Sequence, residues 1–220
     1  PTGKKDLQQE LSKGRVSLVR KMAKEQEQQG AAILDINVSV PGIDESGAFR
    51  KVITALATSS DLPLSIDSAS PQAIEDALRF YPGRALINSV SADANKNKKI
   101  FPLAAKYGAM SIVLPLTEKE VPETAQERQR IIKDMVAKAQ QYGLTKDDLI
   151  IDGLALSVSS HPDAAQETLK TISWCAHKFA CHTLVGLSNI SFGWPQRVWL
   201  NSAFLAMAQA HGLTMAIMNT

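Results

Sequence analysis

Cysteine is scarce in this sequence. Two cysteines among 220 residues cannot build a disulfide framework, and a reduced, cytoplasmic setting is the simpler expectation. An excess of either charge is also missing. Lys and Arg number 24 against 22 Asp and Glu, a net charge of +2, which argues against the basic footprint of a nucleic-acid binder. No apolar run approaches the roughly 20 residues that a membrane-spanning helix needs, so no membrane role is expected. The opening PTGKKDLQQE has neither an initiator Met nor an apolar signal segment, so the chain reads as an excised or processed piece. What is present is globular. Hydrophobic residues make up 45% and charged residues 21%, values that suit one domain with a sizeable core rather than a disordered chain.

The two cysteines lie close together, in the stretch Cys175, His177, Cys181, His182. Four soft ligands so near each other invite a metal reading. The spacing is not the paired C-x-x-C of a structural zinc site, and the first part of the stretch continues an amphipathic helix. Packed thiols and surface histidines are the expectation.

Short runs rich in Ile, Val, Leu and Ala recur along the whole chain, at 31–38, 62–67, 84–90, 109–116, 148–154, 182–189 and 213–219. Each is nearly continuously hydrophobic rather than alternating, which suits strands buried on both faces of a parallel sheet. Helical patterns fill the gaps. The clearest are Val121–Tyr142 and Ala164–Phe179, and a leading helix is predicted over roughly 6–29. Ser70-Pro71 and His161-Pro162-Asp163 are helix-start signals. Gly108, Gly143 and Gly212 stand at helix ends, where a residue of positive φ commonly closes the helix. Strict βα alternation implies a parallel sheet, doubly wound or closed into a barrel. The first run, AAILDINVSVPGIDES, carries no G-x-G-x-x-G, which weakens a dinucleotide fold. No linker divides the chain, so 1–220 is expected to be one domain.

Polar residues gather at the ends of these runs. Asp35 and Asn37 close the first, Asp67 the second and Asn88 the third. Asp152 closes the fifth, Ser188 and Asn189 the sixth, and Asn219 the last. In a (β/α) barrel these carboxyl-terminal ends share one rim, where the active site lies. Asp and Asn also begin loops and cap helices, but six such ends together argue for a polar pocket. Carboxylates and amides, without paired basic residues, suit a neutral, hydrogen-bond-rich ligand. A heterocycle with an amino group beside a ring N–H offers two adjacent donors that one carboxylate accepts together. Gly186-Leu-Ser188-Asn189-Ile190 fails as a nucleophile elbow at its last glycine. The lysines of Gly3-Lys4-Lys5 lack the rest of a P-loop and are expected to be solvated.

The ordered motifs PTGKK, ILDINVSVPGIDE, PLSIDS, YPGRALINSVSAD, PLAAKYGA, DDLIIDG, TLVGLSNISFGWPQR and LNSAFLAMAQAHGL closely resemble one family. It is the pterin-binding domain of cobalamin-dependent methionine synthase and of the methyltetrahydrofolate:corrinoid methyltransferases. The resemblance implies an α/β fold of the TIM (β/α)8 type. It implies transfer of the methyl group of methyltetrahydrofolate to a corrinoid (cobalamin) cobalt carried by a partner protein or domain. It places substrate contacts on Asp67, Asn88, Asp152, Gly186, Ser188 and Arg197, and the catalytic role on Asn189, with no metal held by this chain. Homodimerisation is left open.

Departures from the family pattern are few: Gly153 and Thr220 stand where it usually has Pro, and Trp194 where it has an aliphatic residue. The family's first strand would precede Pro1 and its last helix would follow Thr220, so the expectation is a barrel lacking both. Two other readings stand beside the methyltransferase. One is a dihydropteroate synthase-like enzyme, whose usual G-x-S-R-K-S-F motif is here Gly186-Leu-Ser188-Asn189-Ile190-Ser191-Phe192. The other is a non-catalytic pterin-binding module.

Overall fold

The computed structural model describes residues 4–118 and 120–219, so Pro1–Gly3 of the opening motif and Thr220 lie outside the described residues. The chain divides into two compact units. The first comprises the described residues up to Ser89 together with Lys106–Met110, and the second comprises Val90–Ala105 and Ser111–Asn219.

The first unit opens with two helices, α1 (Lys5–Ser12) and α2 (Ser17–Gln28), not the single leading helix predicted. Gly14 is the reason. It takes a left-handed φ of +66°, and its N–H donates to the Leu11 carbonyl at 2.8 Å, ending the first helix. Three parallel strands follow, β1 (Leu34–Asn37), β2 (Leu64–Asp67) and β3 (Leu86–Ser91). Their register pairs Asn37 with Asp67 and Asp67 with Asn88. Between them lie α3 (Glu45–Leu56) and α4 (Pro71–Phe80). Asp44 caps α3 by accepting from the Gly47 N–H at 3.1 Å. Ser70 caps α4 ahead of Pro71, as the sequence signal indicated. Phe49, Val52, Ile53 and Leu56 bury one face of α3, each worth about 1.5–3 kcal/mol.

The second unit carries β4 (Met110–Leu114), β5 (Leu149–Asp152), β6 (His182–Gly186) and β7 (Met215–Ile217), parallel neighbours in chain order. Helix α5 (Ala94–Tyr107) precedes β4. Helix α6 (Ala125–Gln140) starts four residues later than its apolar pattern suggests, because Thr124 and Glu127 form a reciprocal capping box just after Pro122. Helix α7 (Ala164–Trp174) is also shorter than predicted. It loosens into one π turn over Cys175–Phe179, closed by Ala180 at φ +53° with the Cys181 N–H on the Cys175 carbonyl at 3.0 Å. Helix α8 (Arg197–Ala210) packs Phe204 and Ala208 with Leu169, Ile172, Val185 and Ile190 in a continuous core. Gly108, Gly143 and Gly212 all have positive φ, of +65°, +84° and +98°. No described helix is long and apolar enough to cross a membrane.

Candidate functional site

The residues singled out in the sequence fall into two sets, one in each unit: Asn37, Asp67, Asp152 and Gly186 end strands, Ser188 and Asn189 follow one, Asp35 and Asn88 lie within strands, and Arg197 opens α8. In the first unit, alternation along β1 and the register with β2 and β3 put Asp35, Asn37, Asp67 and Asn88 on one face of the strands. Their side chains join in pairs. The Asn37 amide donates to Asp67 Oδ2 at 2.9 Å, and the Asn88 amide donates to Asp35 Oδ1 at 3.1 Å. Glu45, at the start of α3, accepts from Ser68 Oγ at 2.7 Å and from Ser39 Oγ at 2.5 Å. The Asp67 carboxyl is held above its ordinary range, chiefly by burial, with the Asn37 hydrogen bond opposing and the negative charges of Asp35 and Glu45 adding to the rise.

In the second unit Asp152 ends β5 beside Leu184 of β6. Burial pushes its carboxyl up to about 6, against the Leu154 N–H on Oδ1 at 2.8 Å and the facing charge of Arg128. Gly186 ends β6, and Leu187–Asn189 make a single 3-10 turn. Arg197, expected among the substrate contacts, grips that turn. Its Nη2 donates to the Ser188 carbonyl at 2.6 Å and its Nε to Ser191 Oγ at 3.0 Å. A cation in the first turn of a helix opposes the helix dipole, and these two bonds offset that. Asn189 is exposed, and its carboxamide has no hydrogen-bond partner among the described residues.

Asp35, Asn37 and Glu45 were not named as site residues, although the first two close the first apolar run in plain sight. Arg128 was missed altogether. It sits on α6 among charged residues of a helical pattern, yet it is fully buried. Gly153, where the family pattern has Pro, packs tightly: a β-carbon there would lie 3.0 Å from Ile172 Cγ1 and 3.3 Å from Thr168 Cγ2. The metal reading of the Cys175–His182 stretch finds no geometry to support it. Both thiols are buried, Cys175 pushed up to about 12 by burial, while His177 and His182 are exposed. Among the described residues no group of three or more His, Cys, Asp or Glu is placed to hold a metal ion.

A βα chain of parallel strands with polar carboxyl-terminal ends is the pattern of a TIM-type α/β enzyme, and solved structures share the fold. A dihydropteroate synthase of Xanthomonas albilineans superposes with a TM-score of 0.72 at 18% identity, over 93% of this chain and 80% of that one. The Yersinia pestis dihydropteroate synthase gives 0.70 at 17% identity, over 92% and 82%. Residues 6–219 match the family described as pterin binding enzyme, and the chain belongs to that family. Among curated relatives, a methionine synthase of Mycobacterium tuberculosis is 31% identical over 214 residues, 90% of this chain but 18% of that protein. The methylcorrinoid:tetrahydrofolate methyltransferase of Eubacterium limosum is 25% identical over 206 residues, covering 92% of this chain and 76% of its own length. The chain thus spans less than a fifth of the methionine synthase it matches.

Proposed function

We propose that this chain binds methyltetrahydrofolate and presents its methyl group to a corrinoid carried by a partner protein or domain. One observation carries the chemistry: the Asn189 carboxamide, without a hydrogen-bond partner among the described residues, is exposed on a turn whose backbone is tied down by Arg197. Asp67, Asn88 and Asp152, with the Gly186–Ser188 turn, are the proposed pterin contacts. A carboxylate such as Asp152 accepts the two adjacent donors of an aminopyrimidinone ring, and the amides satisfy its carbonyl and ring nitrogens. Arg197 is a proposed substrate contact too, and it also holds the Ser188 carbonyl.

The reacting nitrogen of the folate is tertiary and leaves poorly. As its bond to the methyl carbon breaks, the electron pair returns to that nitrogen, a hydrogen bond from the Asn189 N–H stabilises the developing charge, and a proton from solvent completes the N–H of the tetrahydrofolate product. That bond strengthens in the transition state, so it raises the rate more than the affinity. When bound to its own carrier, the corrinoid supplies the cobalt nucleophile. The residues of this chain bind and orient the donor and activate its leaving nitrogen.

The homologues named methionine synthase and methylcorrinoid:tetrahydrofolate methyltransferase support this reading. The dihydropteroate synthase reading has likeness of fold in its favour, but fold alone does not decide chemistry. The Arg and Lys of the synthase motif are replaced here by Asn189 and Ile190. Titration calorimetry with tetrahydrofolate, followed by methyl transfer from methyltetrahydrofolate to a reduced corrinoid protein, tests the proposal. Binding with turnover is expected. Binding without turnover leaves only a pterin-binding module, and dihydropteroate formed from the pterin diphosphate and aminobenzoate would replace the proposal with the synthase.

A further inference from the structure

Arg128 is a guanidinium buried in the second unit with no carboxylate in ion-pair contact among the described residues. Burying such a group is costly, and its hydrogen bonds show where it acts. Nε donates to the Pro122 carbonyl at 3.1 Å, Nη1 to the Gly153 carbonyl at 3.1 Å and to Thr168 Oγ1 at 3.2 Å. The Thr168 hydroxyl in turn donates to the Leu154 carbonyl at 3.1 Å. The two carbonyls immediately after Asp152 are therefore both held by this pair. Between them Leu154 takes a left-handed φ of +57°, a conformation a leucine adopts only when its surroundings impose it. The N–H on the peptide that links Gly153 to Leu154 turns back onto Asp152 Oδ1 at 2.8 Å.

We propose that Arg128, acting with Thr168, is a positioning residue for Asp152: together they fix the Gly153–Leu154 backbone that aims the Asp152 carboxylate at a bound pterin. The inference rests on the function proposed above. Gly153 contributes by its size, since a side chain there would meet Thr168 and Ile172 and push α7 away. Arg128 also faces Asp152 electrostatically. The other charges near the guanidinium are Glu167 on α7 and Glu127 on its own helix, and Arg128 is the charged group that faces Asp152. A neutral residue in its place leaves the carboxylate both less restrained and easier to protonate.

The test compares Arg128→Met, Arg128→Lys and Thr168→Val with the unchanged protein, reading tetrahydrofolate affinity by calorimetry between pH 5 and 8. The Asp152 carboxyl is followed by carbon-13 NMR in the ligand-free protein. Arg128→Met is expected to weaken binding about tenfold or more at pH 7 and to move the Asp152 midpoint above its value of about 6. Arg128→Lys should keep the midpoint but not the full affinity, and Thr168→Val should lower affinity with the midpoint unmoved. Should Arg128→Met not fold, the other two variants decide. Unchanged affinity and an unmoved midpoint in the folded variants, with only a lower melting temperature, would overturn the proposal. If the unchanged protein binds no folate, the functional reading fails, and the NMR midpoints still report whether Arg128 controls Asp152.

Discussion

The carboxamide nitrogen of Asn189 lies 3.0 Å from the point where a β-carbon on Gly186 would stand. The 3-10 turn after β6 brings residue 189 back over the strand end, and the glycine leaves room for its amide. Asn189→Ala is expected to cut the rate of methyl transfer by about 100-fold while folate affinity falls far less. Gly186→Ala should push the amide aside by a few tenths of an ångström and lower the rate in the same direction but less. Single-turnover kinetics beside calorimetry separates rate from affinity. Equal losses in both would make Asn189 a binding group only.

Asp152 sets a pH dependence whose sign is fixed by the direction of its shift. Burial raises its carboxyl to about 6 from an ordinary 3.8, so the folded state holds that proton more tightly than the unfolded chain does. The contribution to stability therefore falls as pH rises from about 4 through about 6, by about 3 kcal/mol at most, and is constant above. Asp152→Asn removes the dependence and should be the more stable protein at pH 7, by up to about that amount, which already includes the attraction of Arg128 for the carboxylate. Urea unfolding of both proteins at pH 4.5 and 7 gives the difference directly. Binding runs the opposite way. The ionised carboxylate is the acceptor, so folate affinity should drop about tenfold per unit below pH 6, and Asp152→Asn should bind poorly at every pH.

Asn37 restrains Asp67 through the 2.9 Å hydrogen bond, and its amide opposes the rise that burial, Asp35 and Glu45 impose. Asn37→Ala should weaken tetrahydrofolate binding about tenfold and shift the acid loss of binding upward. Asn37→Asp should do more damage at neutral pH, since it sets a like charge within hydrogen-bond distance of Asp67. Affinities of the two variants in the same order at pH 5.5, with a narrowed gap, would accord with a charge effect. An unchanged affinity in Asn37→Asp would exclude Asn37 and Asp67 from the site.

The strands and the pterin family were legible because the signals are local. Seven apolar runs, six of them ending in Asp, Asn or Ser, report both the buried β structure and its polar ends, and the helix-ending glycines report positive φ. The misreadings have physical causes too. The leading helix breaks because Gly14 tolerates a left-handed φ inside an otherwise helical pattern. Ala164–Phe179 keeps its amphipathic period while its backbone slips into a π turn at Cys175, which periodicity does not sense. Arg128 is the clearest case. A charged residue on a helix face reads as solvated, and its burial depends on Gly153 and Thr168, 25 and 40 positions further on. Arg197 was legible as important but not as a clamp on its own turn, because the pairing is made in space across the Ser188–Arg197 loop.

Two glycines of nearly equal φ separate conformational strain from steric fit. Gly30 has φ +89° and open space where a β-carbon would go, whereas at Gly212, with φ +98°, that carbon would lie 2.5 Å from Ala176 Cβ. Gly30→Ala should cost only the left-handed penalty of about 1–2 kcal/mol. Gly212→Ala carries that penalty and a clash with the π turn after α7, adding about 1–3 kcal/mol. The Gly212 carbonyl accepts from Thr183 Oγ1 at 2.9 Å, so backbone relaxation away from Ala176 strains the β6–β7 join and gives little relief. Urea unfolding of both variants measures the gap. Neither residue is among the proposed folate contacts, and tetrahydrofolate affinity should be unchanged in whichever variant remains folded. Equal destabilisation would mean that the turn before β7 yields freely, and that the contact with Ala176 does not hold α8 and the π turn together.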